Sequence, residues 1–247
     1  MPSKGQVFID VDFCLFDLDG TIIKTTEAVE KAWTKLCLEH GVDPEELFKH
    51  SHGTRTQEVI QRFFPQLGGD LDRAVEQMEL SIGNDYPESV SLIPGAAKLL
   101  QALDQSSQEN VGKERIWAIV TSGAYLARTW FDNILKDIGP PPVFITGFDV
   151  AKGKPDPQGY ALASQRLSVI WRKDPKTVRN VVFEDAPVGV IAGKRIGAVV
   201  VGITSSYSEN TLFEAGADYV VPDLTGVRVI ERSATGLKLE ITGRLSR

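Results

Sequence analysis

Cysteine is scarce in this chain: Cys14 and Cys37 are the only two among 247 residues. Two thiols cannot build a disulfide framework, and they fit a reducing, intracellular setting. Basic charge is also short. Lys and Arg total 27 against 33 Asp and Glu, a net charge of −6 with neutral His. That balance offers no basic footprint for nucleic acid, although a site can be locally positive on an acidic protein. No stretch approaches the ~18 apolar residues of a membrane span. The opening MPSKGQVFIDVDF lacks a positively charged start and a long apolar run, so no secretory signal is expected. The closing RLSR matches no lipidation or retention signal. The expectation is a cytoplasmic monomer without nucleic-acid or membrane partners.

What is present suits a globular chain. Apolar residues make up 42% and charged residues 24%, near the globular average. At ~150 residues per domain, the length gives one large domain or a core with an insert. A chain of this size buries enough surface to fold without a disulfide or a metal.

Short apolar runs recur: Phe13–Phe16, extended back to Val11, then Ile116–Val120, Val143–Ile145, Val181–Phe183, Val199–Ile203 and Tyr219–Val221. Consecutive apolar residues suit strands covered on both faces. Helical stretches alternate with them over Ala96–Gln105, Tyr125–Lys136, Pro157–Leu167, Pro187–Ile196 and Ser208–Ala215. This alternation predicts an α/β fold, a Rossmann-like parallel sheet with helices on both faces. Pro157 and Pro187 suit first helical turns, and Gly197 and Gly216 suit helix ends.

One interval breaks the alternation. About 70 residues between the first strand and Pro94-Gly95 hold helical patterns only: Glu27–Glu39, Pro44–Lys49, Thr54–Phe64 and Leu71–Asn84. A connection of that length is a unit of its own. The expected division is a core of residues 1–22 and 92–247, with an inserted α-helical cap over 23–91. Thr21–Thr26 and Ser89–Gly95 read as its linkers. Trp33, Phe48, Phe63, Phe64 and Met78 read as cap core, and Trp117 and Trp130 as sheet-side core. Near the C-terminus, Val227, Val229, Leu237, Leu239 and Ile241 alternate with polar residues, a β-hairpin pattern. Gln105–Lys113 reads as a surface loop.

Charged and hydroxyl residues fall at successive strand ends. Asp17-Leu18-Asp19-Gly20-Thr21 ends the first strand. In an open α/β sheet, ligands sit outside the carboxyl ends of the strands. Alternation points Asp17 and Asp19 to one side, where their charges repel unless a cation or a shared proton relieves them. Mg²⁺ suits such oxygen ligands. Thr121-Ser122-Gly123, Gly153-Lys154-Pro155 and Glu184-Asp185 follow at later strand ends. Each alone reads as a turn, a surface lysine or a helix cap. Together they hold the parts for phosphoryl transfer: a carboxylate nucleophile, charge to steady the phosphoryl oxygens, and an acid for the leaving alkoxide.

DLDGT at 17–21, VTSG at 120–123, GKPDP at 153–157 and FEDAPVG at 183–189 resemble, in order, the motifs of the haloacid dehalogenase-like phosphatases. The helical insert resembles their small cap. The resemblance implies Asp17 as nucleophile and metal ligand. It implies Asp19 as general acid and base, also giving its backbone carbonyl to Mg²⁺. Thr121, Ser122 (through its N–H) and Lys154 would bind the phosphoryl group, and Asp185 and Glu184 would serve the metal. His50–Thr56, IPGA at 93–96 and Lys24 in place of an Asp resemble the fungal glycerol-phosphate and 2-deoxyglucose-6-phosphate phosphatases within that family. Arg55 and His52 are the cap candidates for substrate contact, Arg through its rigid fork of donors. The expected partner is a small phosphorylated sugar or polyol. A sugar-phosphate mutase of the same fold and a phosphoacceptor signalling module are the alternatives.

Overall fold

The computed structural model describes residues 5–104, 115–233 and 236–246. The expected loop Gln105–Lys113 lies outside them. In chain order, β1 (Val7–Val11) meets β2 (Phe13–Phe16) across Asp12. β3 (Ile23–Lys24) leads into α1 (Thr26–His40), α2 (Pro44–Ser51), α3 (Thr56–Phe63) and α4 (Leu71–Asp85), and β4 (Ser91–Leu92) leads out. Then come α5 (Ala96–Asp104), β5 (Trp117–Val120), α6 (Leu126–Asp132), β6 (Phe144–Ile145), α7 (Gln158–Ile170) and β7 (Asn180–Glu184). α8 (Pro187–Arg195), β8 (Val199–Ile203), α9 (Glu209–Glu214), β9 (Tyr219–Val221), β10 (Val227–Ser233) and β11 (Gly236–Ile241) complete the order.

The core sheet is parallel, with six strands in the order β6-β5-β2-β7-β8-β9. Every residue of β2, β5 and β7 is buried, as expected of strands covered on both faces. Phe16 stacks on Phe183 at 4.6 Å and meets Trp117 edge-on at 6.3 Å, tying these three strands through one aromatic cluster. The chain steps outward from β2 to β5 and β6, then returns beyond β2 to lay down β7, β8 and β9. The order therefore reverses at β2, and the crevice at its carboxyl end is where such sheets bind ligands.

Val11 departs from expectation. It ends β1, which pairs antiparallel with β11 from Val7 opposite Ile241 to Val11 opposite Leu237. The expected C-terminal hairpin is the β10–β11 pair, and β1 makes it a three-stranded sheet. The two expected linkers also pair, with Ile23 opposite Leu92 and Lys24 opposite Ser91, so one short ribbon carries both crossings to the helical insert. Within the insert, Gly41 closes α1 at φ 67°, Asp43 caps α2 at the Glu45 N–H and Asp70 caps α4 at the Arg73 N–H. Trp33 stacks on Phe64 at 5.9 Å in its core. Pro187 opens α8, whereas Pro157 sits one residue before α7. No helix among the described residues is long and apolar enough to cross a membrane.

Asp12 joins the two sheets. It is 8% exposed; one oxygen meets the Lys173 ammonium at 2.5 Å, and the other accepts the Arg179 N–H at 2.8 Å and its Nε–H at 3.2 Å. Burial works to raise its pKa, but Lys173 and Arg179 outweigh it and hold the carboxyl below 3.8. A depressed carboxyl adds stability above its unfolded pKa and loses it as pH falls through the folded value. Asp12→Asn is therefore expected to cost about 2 kcal/mol at pH 7. In urea titrations at falling pH, the gap to wild type should close once the pH drops below 3.8; a constant gap would assign the loss to packing.

Candidate active site

Four chain segments meet at the carboxyl end of β2. Asp17 follows β2 directly, with its N–H bonded to Phe183 O on the neighbouring β7. Glu184 ends β7, and Asp185 follows it. Lys154 arrives on the loop between β6 and α7. Its ammonium lies 2.6 Å from Asp17 Oδ1 and 2.6 Å from Glu184 Oε1, with all three groups buried. Tyr160 on α7 donates its hydroxyl to Glu184 Oε1 at 2.7 Å, and Glu184 Oε2 accepts the N–H groups of Asp185 and Ala186. Asp185 accepts from the Ser206 hydroxyl. Tyr160 and Ser206 carry no motif signal, because each depends on a contact distant in sequence.

The electrostatics follow from crowding. Burial pushes Asp17 up to about 7, with Glu184 adding to the rise and Lys154 opposing it. Asp185 is raised well above its ordinary value by burial and by its carboxylate neighbours. Burial alone would lower the Lys154 ammonium, but Asp17 and Glu184 more than reverse that. Three carboxylates and one lysine leave excess negative charge in a dry site.

The excess makes this cluster a candidate cation site. Asp17, Glu184 and Asp185 each offer an oxygen within 4.8 Å of the others', and Asp17 Oδ2 is buried without any hydrogen-bond partner. An all-oxygen donor set fits a hard cation such as Mg²⁺. The Asp19 carboxylate lies outside this cluster: Oδ1 accepts from Trp130 Nε1–H at 3.1 Å, and Thr121 Oγ1 stands 3.5 Å from Oδ2. Burial and the charge of Glu79 push Asp19 up to about 6, against the Trp130 hydrogen bond. Trp130 thus serves the site as well as the α6 core.

Two glycines let this packing happen. A Cβ on Gly189 would stand 1.7 Å from Glu184 Oε1, and one on Gly20, at φ +89°, would stand 2.0 Å from Asp185 Oδ2. Gly189→Ala must displace the buried Glu184 carboxylate or helix α8. It is expected to lower kcat/KM at least ~100-fold and to destabilise by about 3 kcal/mol. Near-wild-type kinetics and melting would contradict this tight seating of Glu184.

The helical insert roofs the site. A cavity with about 690 Å³ of open space, its mouth included, is bounded below by Asp17, Asp19 and Thr121 and above by His52, Ser51 and Glu79. His52 lines this cavity, stands 3.2 Å from Glu30 Oε1 and packs against Phe48 and Tyr207; burial lowers its pKa. Ser122 also lines the cavity, with its hydroxyl donated to Gly53 O at 2.7 Å across the boundary with the insert. Arg55 stands in an adjoining cleft with Lys154 and Thr121. Its guanidinium donates to Glu58 and to the carbonyls of Gly147, Val150 and Ala151, so here it ties the insert to the core. Glu79 makes a third tie: its Oε2 accepts the N–H groups of Ala124, Tyr125 and Leu126 at the start of α6. Its signal in the sequence is position alone, four residues after Val75 and three before Ile82 on the buried face of α4. Cys14 is buried in β2, and burial raises its thiol, which leaves it unreactive.

The haloacid dehalogenase-like hydrolase family model matches residues 11–197. The chain is 56% identical over 242 residues to 2-deoxyglucose-6-phosphate phosphatase 1 of Saccharomyces cerevisiae, covering 96% of this chain and 97% of that protein. It is 36% identical to glycerol-1-phosphate phosphohydrolase 1 of the same yeast, covering 98% and 94%. Among solved structures, CbbY from Rhodobacter sphaeroides in complex with phosphate superposes with a TM-score of 0.65 at 25% identity, covering 87% of this chain and 95% of that one.

Proposed function

The chain belongs to the haloacid dehalogenase-like hydrolase family, and on that premise we propose that it hydrolyses small sugar or polyol phosphates through an aspartyl-phosphate on Asp17. One observation carries this reading. Asp17 has one oxygen fixed by Lys154 and the other buried and unpartnered, and it lines the same cavity as Asp19. The relatives' names support the substrate class, since they are phosphatases of 2-deoxyglucose 6-phosphate and glycerol 1-phosphate.

In the first half-reaction the Asp17 carboxylate forms a bond to phosphorus as the bond to the leaving oxygen breaks. Asp19 gives that oxygen its proton, and the alcohol departs. In the second half, Asp19 takes a proton from water as its oxygen attacks phosphorus. The acyl phosphate bond breaks, and phosphate and the Asp17 carboxylate are released. Lys154 holds Asp17 in line and offsets charge on the phosphoryl oxygens, with Thr121 and Ser122 beside it. Mg²⁺, held by Asp17, Glu184, Asp185 and the Asp19 backbone carbonyl, would supply positive charge to this crowded acidic site. Residues 23–91 act as the cap. Its ties through Arg55, Ser122 and Glu79 break to admit substrate and re-form to exclude water.

A panel of phosphomonoesters, scored for free phosphate with Mg²⁺ and with a chelator, tests the reading. Release of phosphate from 2-deoxyglucose 6-phosphate, glycerol 1-phosphate or a hexitol phosphate, lost with chelator and restored by Mg²⁺, is expected. Rearranged sugar phosphate without free phosphate would mean a mutase. A long-lived acyl phosphate without turnover would mean a signalling module.

A further inference from the structure

We propose that Glu79, helped by Ser51, recognises the hydroxyl groups of the substrate's departing alcohol and so sets a preference for neutral, hydroxylated leaving groups. This rests on the phosphatase reading above and assigns the other end of the substrate. Among the described residues, three of the buried polar atoms without a partner belong to cavity-lining side chains: Asp17 Oδ2, Ser51 Oγ and Glu79 Oε1. The first belongs to the reacting centre. The other two come from the insert.

Glu79 is 2% exposed and Ser51 6% exposed. Glu79 Oε2 already accepts three N–H groups, so the start of α6 needs no second oxygen. A side chain serving only as a helix cap could leave its spare oxygen in solvent. Here Oε1 is buried and unpartnered in a residue that lines the cavity, and a buried acceptor without a donor is costly unless a ligand supplies one. A phosphoryl group has no donor to give it and shares its charge. A hydroxyl does donate, and its bond to a carboxylate is charge-assisted. Ser51 can donate or accept beside it. Val29, Trp33, Ile82 and Leu126 supply apolar wall for a carbon skeleton. The same carboxylate repels a substrate bearing a second anionic group, which is discrimination by an unfavourable contact.

The test is Glu79→Gln. Its amide oxygen can keep the three N–H groups of α6, while an NH₂ replaces the free carboxylate oxygen. kcat/KM is measured for glycerol 1-phosphate, propyl phosphate and 3-phosphoglycerate; glycerol and propanol are leaving groups of similar acidity, so the Glu79 charge that acts on Asp19 bears on both alike. The preference for glycerol 1-phosphate over propyl phosphate should fall about 10-fold. The ratio of 3-phosphoglycerate to glycerol 1-phosphate should rise. Ser51→Ala should lower the first preference a few-fold. An equal loss on glycerol 1-phosphate and propyl phosphate would show that Glu79 acts only through α6 or Asp19, and would overturn the assignment. If Glu79→Gln fails to fold, wild-type kcat/KM along glycerol 1-phosphate, 1,2-propanediol 1-phosphate and propyl phosphate reads the same contact. It should fall as hydroxyls are removed, and a flat series overturns the proposal. Wild-type inactivity on every polyol and sugar phosphate is a separate result, which overturns the function reading itself.

Discussion

Asp17→Asn is expected to lower kcat at least ~10⁴-fold while the fold survives. The amide nitrogen cannot form the acyl phosphate, and the amide oxygen is a far weaker nucleophile than a carboxylate. The amide oxygen can still accept from Lys154, as Asp17 Oδ1 does at 2.6 Å, so the loop after β2 keeps its anchor. Asp17 is also held at a cost: burial and Glu184 push it up to about 7. Removing a buried charge from an acidic cluster relieves repulsion. The metal-free variant should therefore melt no lower than wild type. Circular dichroism melting and phosphate release separate the two effects. Lost activity with an unfolded chain would leave the nucleophile unassigned, whereas lost activity with an intact or firmer fold is the expected pair.

Lys154→Met should damage both stability and turnover. It leaves Asp17 and Glu184 facing each other without the ammonium that now sits 2.6 Å from each. Breaking a buried ion pair by removing one member costs about 3–5 kcal/mol, because the remaining charge is left uncompensated. Turnover should fall about 10³-fold, as the lysine no longer offsets charge on the transferring group. The two losses respond differently to Mg²⁺. In urea titrations with chelator the variant should be much weaker than wild type, and Mg²⁺ should recover more stability in the variant, since the cation meets more unneutralised carboxylate there. Turnover should stay low in either case. Wild-type stability in chelator would contradict the role of Lys154 as the internal counter-charge.

The residues that meet at the site were legible where they sit on strand ends. Asp17, Thr121, Glu184 and Asp185 follow buried apolar runs, and parallel strands bring such ends to one edge. Lys154 was legible only together with the other motifs, since its Gly–Pro setting alone reads as a surface lysine. Partners supplied by distant helices were not. Tyr160, Ser206 and Trp130 reach the acidic cluster through tertiary packing, and Trp130 reads from sequence as core alone. Glu79 is masked by the other acidic residues of α4, although its place between Val75 and Ile82 turns it inward. The sheets divide in the same way. Runs buried on both faces announce β2, β5 and β7. The break at Asp12 hands Val11 to β1, a pairing set by β11 more than 200 residues later. A single Asp within an apolar run does not announce that change. Arg55 makes contacts that its side-chain type does not announce. A guanidinium fork suits phosphate, and here it binds Glu58 and three loop carbonyls.

The most direct measurement of the central claim is a rapid-quench time course with a substrate in excess, followed by peptide mapping in acid. The account predicts a phosphorylated peptide carrying Asp17 that rises before steady-state phosphate release and is absent from Asp17→Asn. Steady release of phosphate with no phosphorylated peptide, or with the label on another residue, would contradict it.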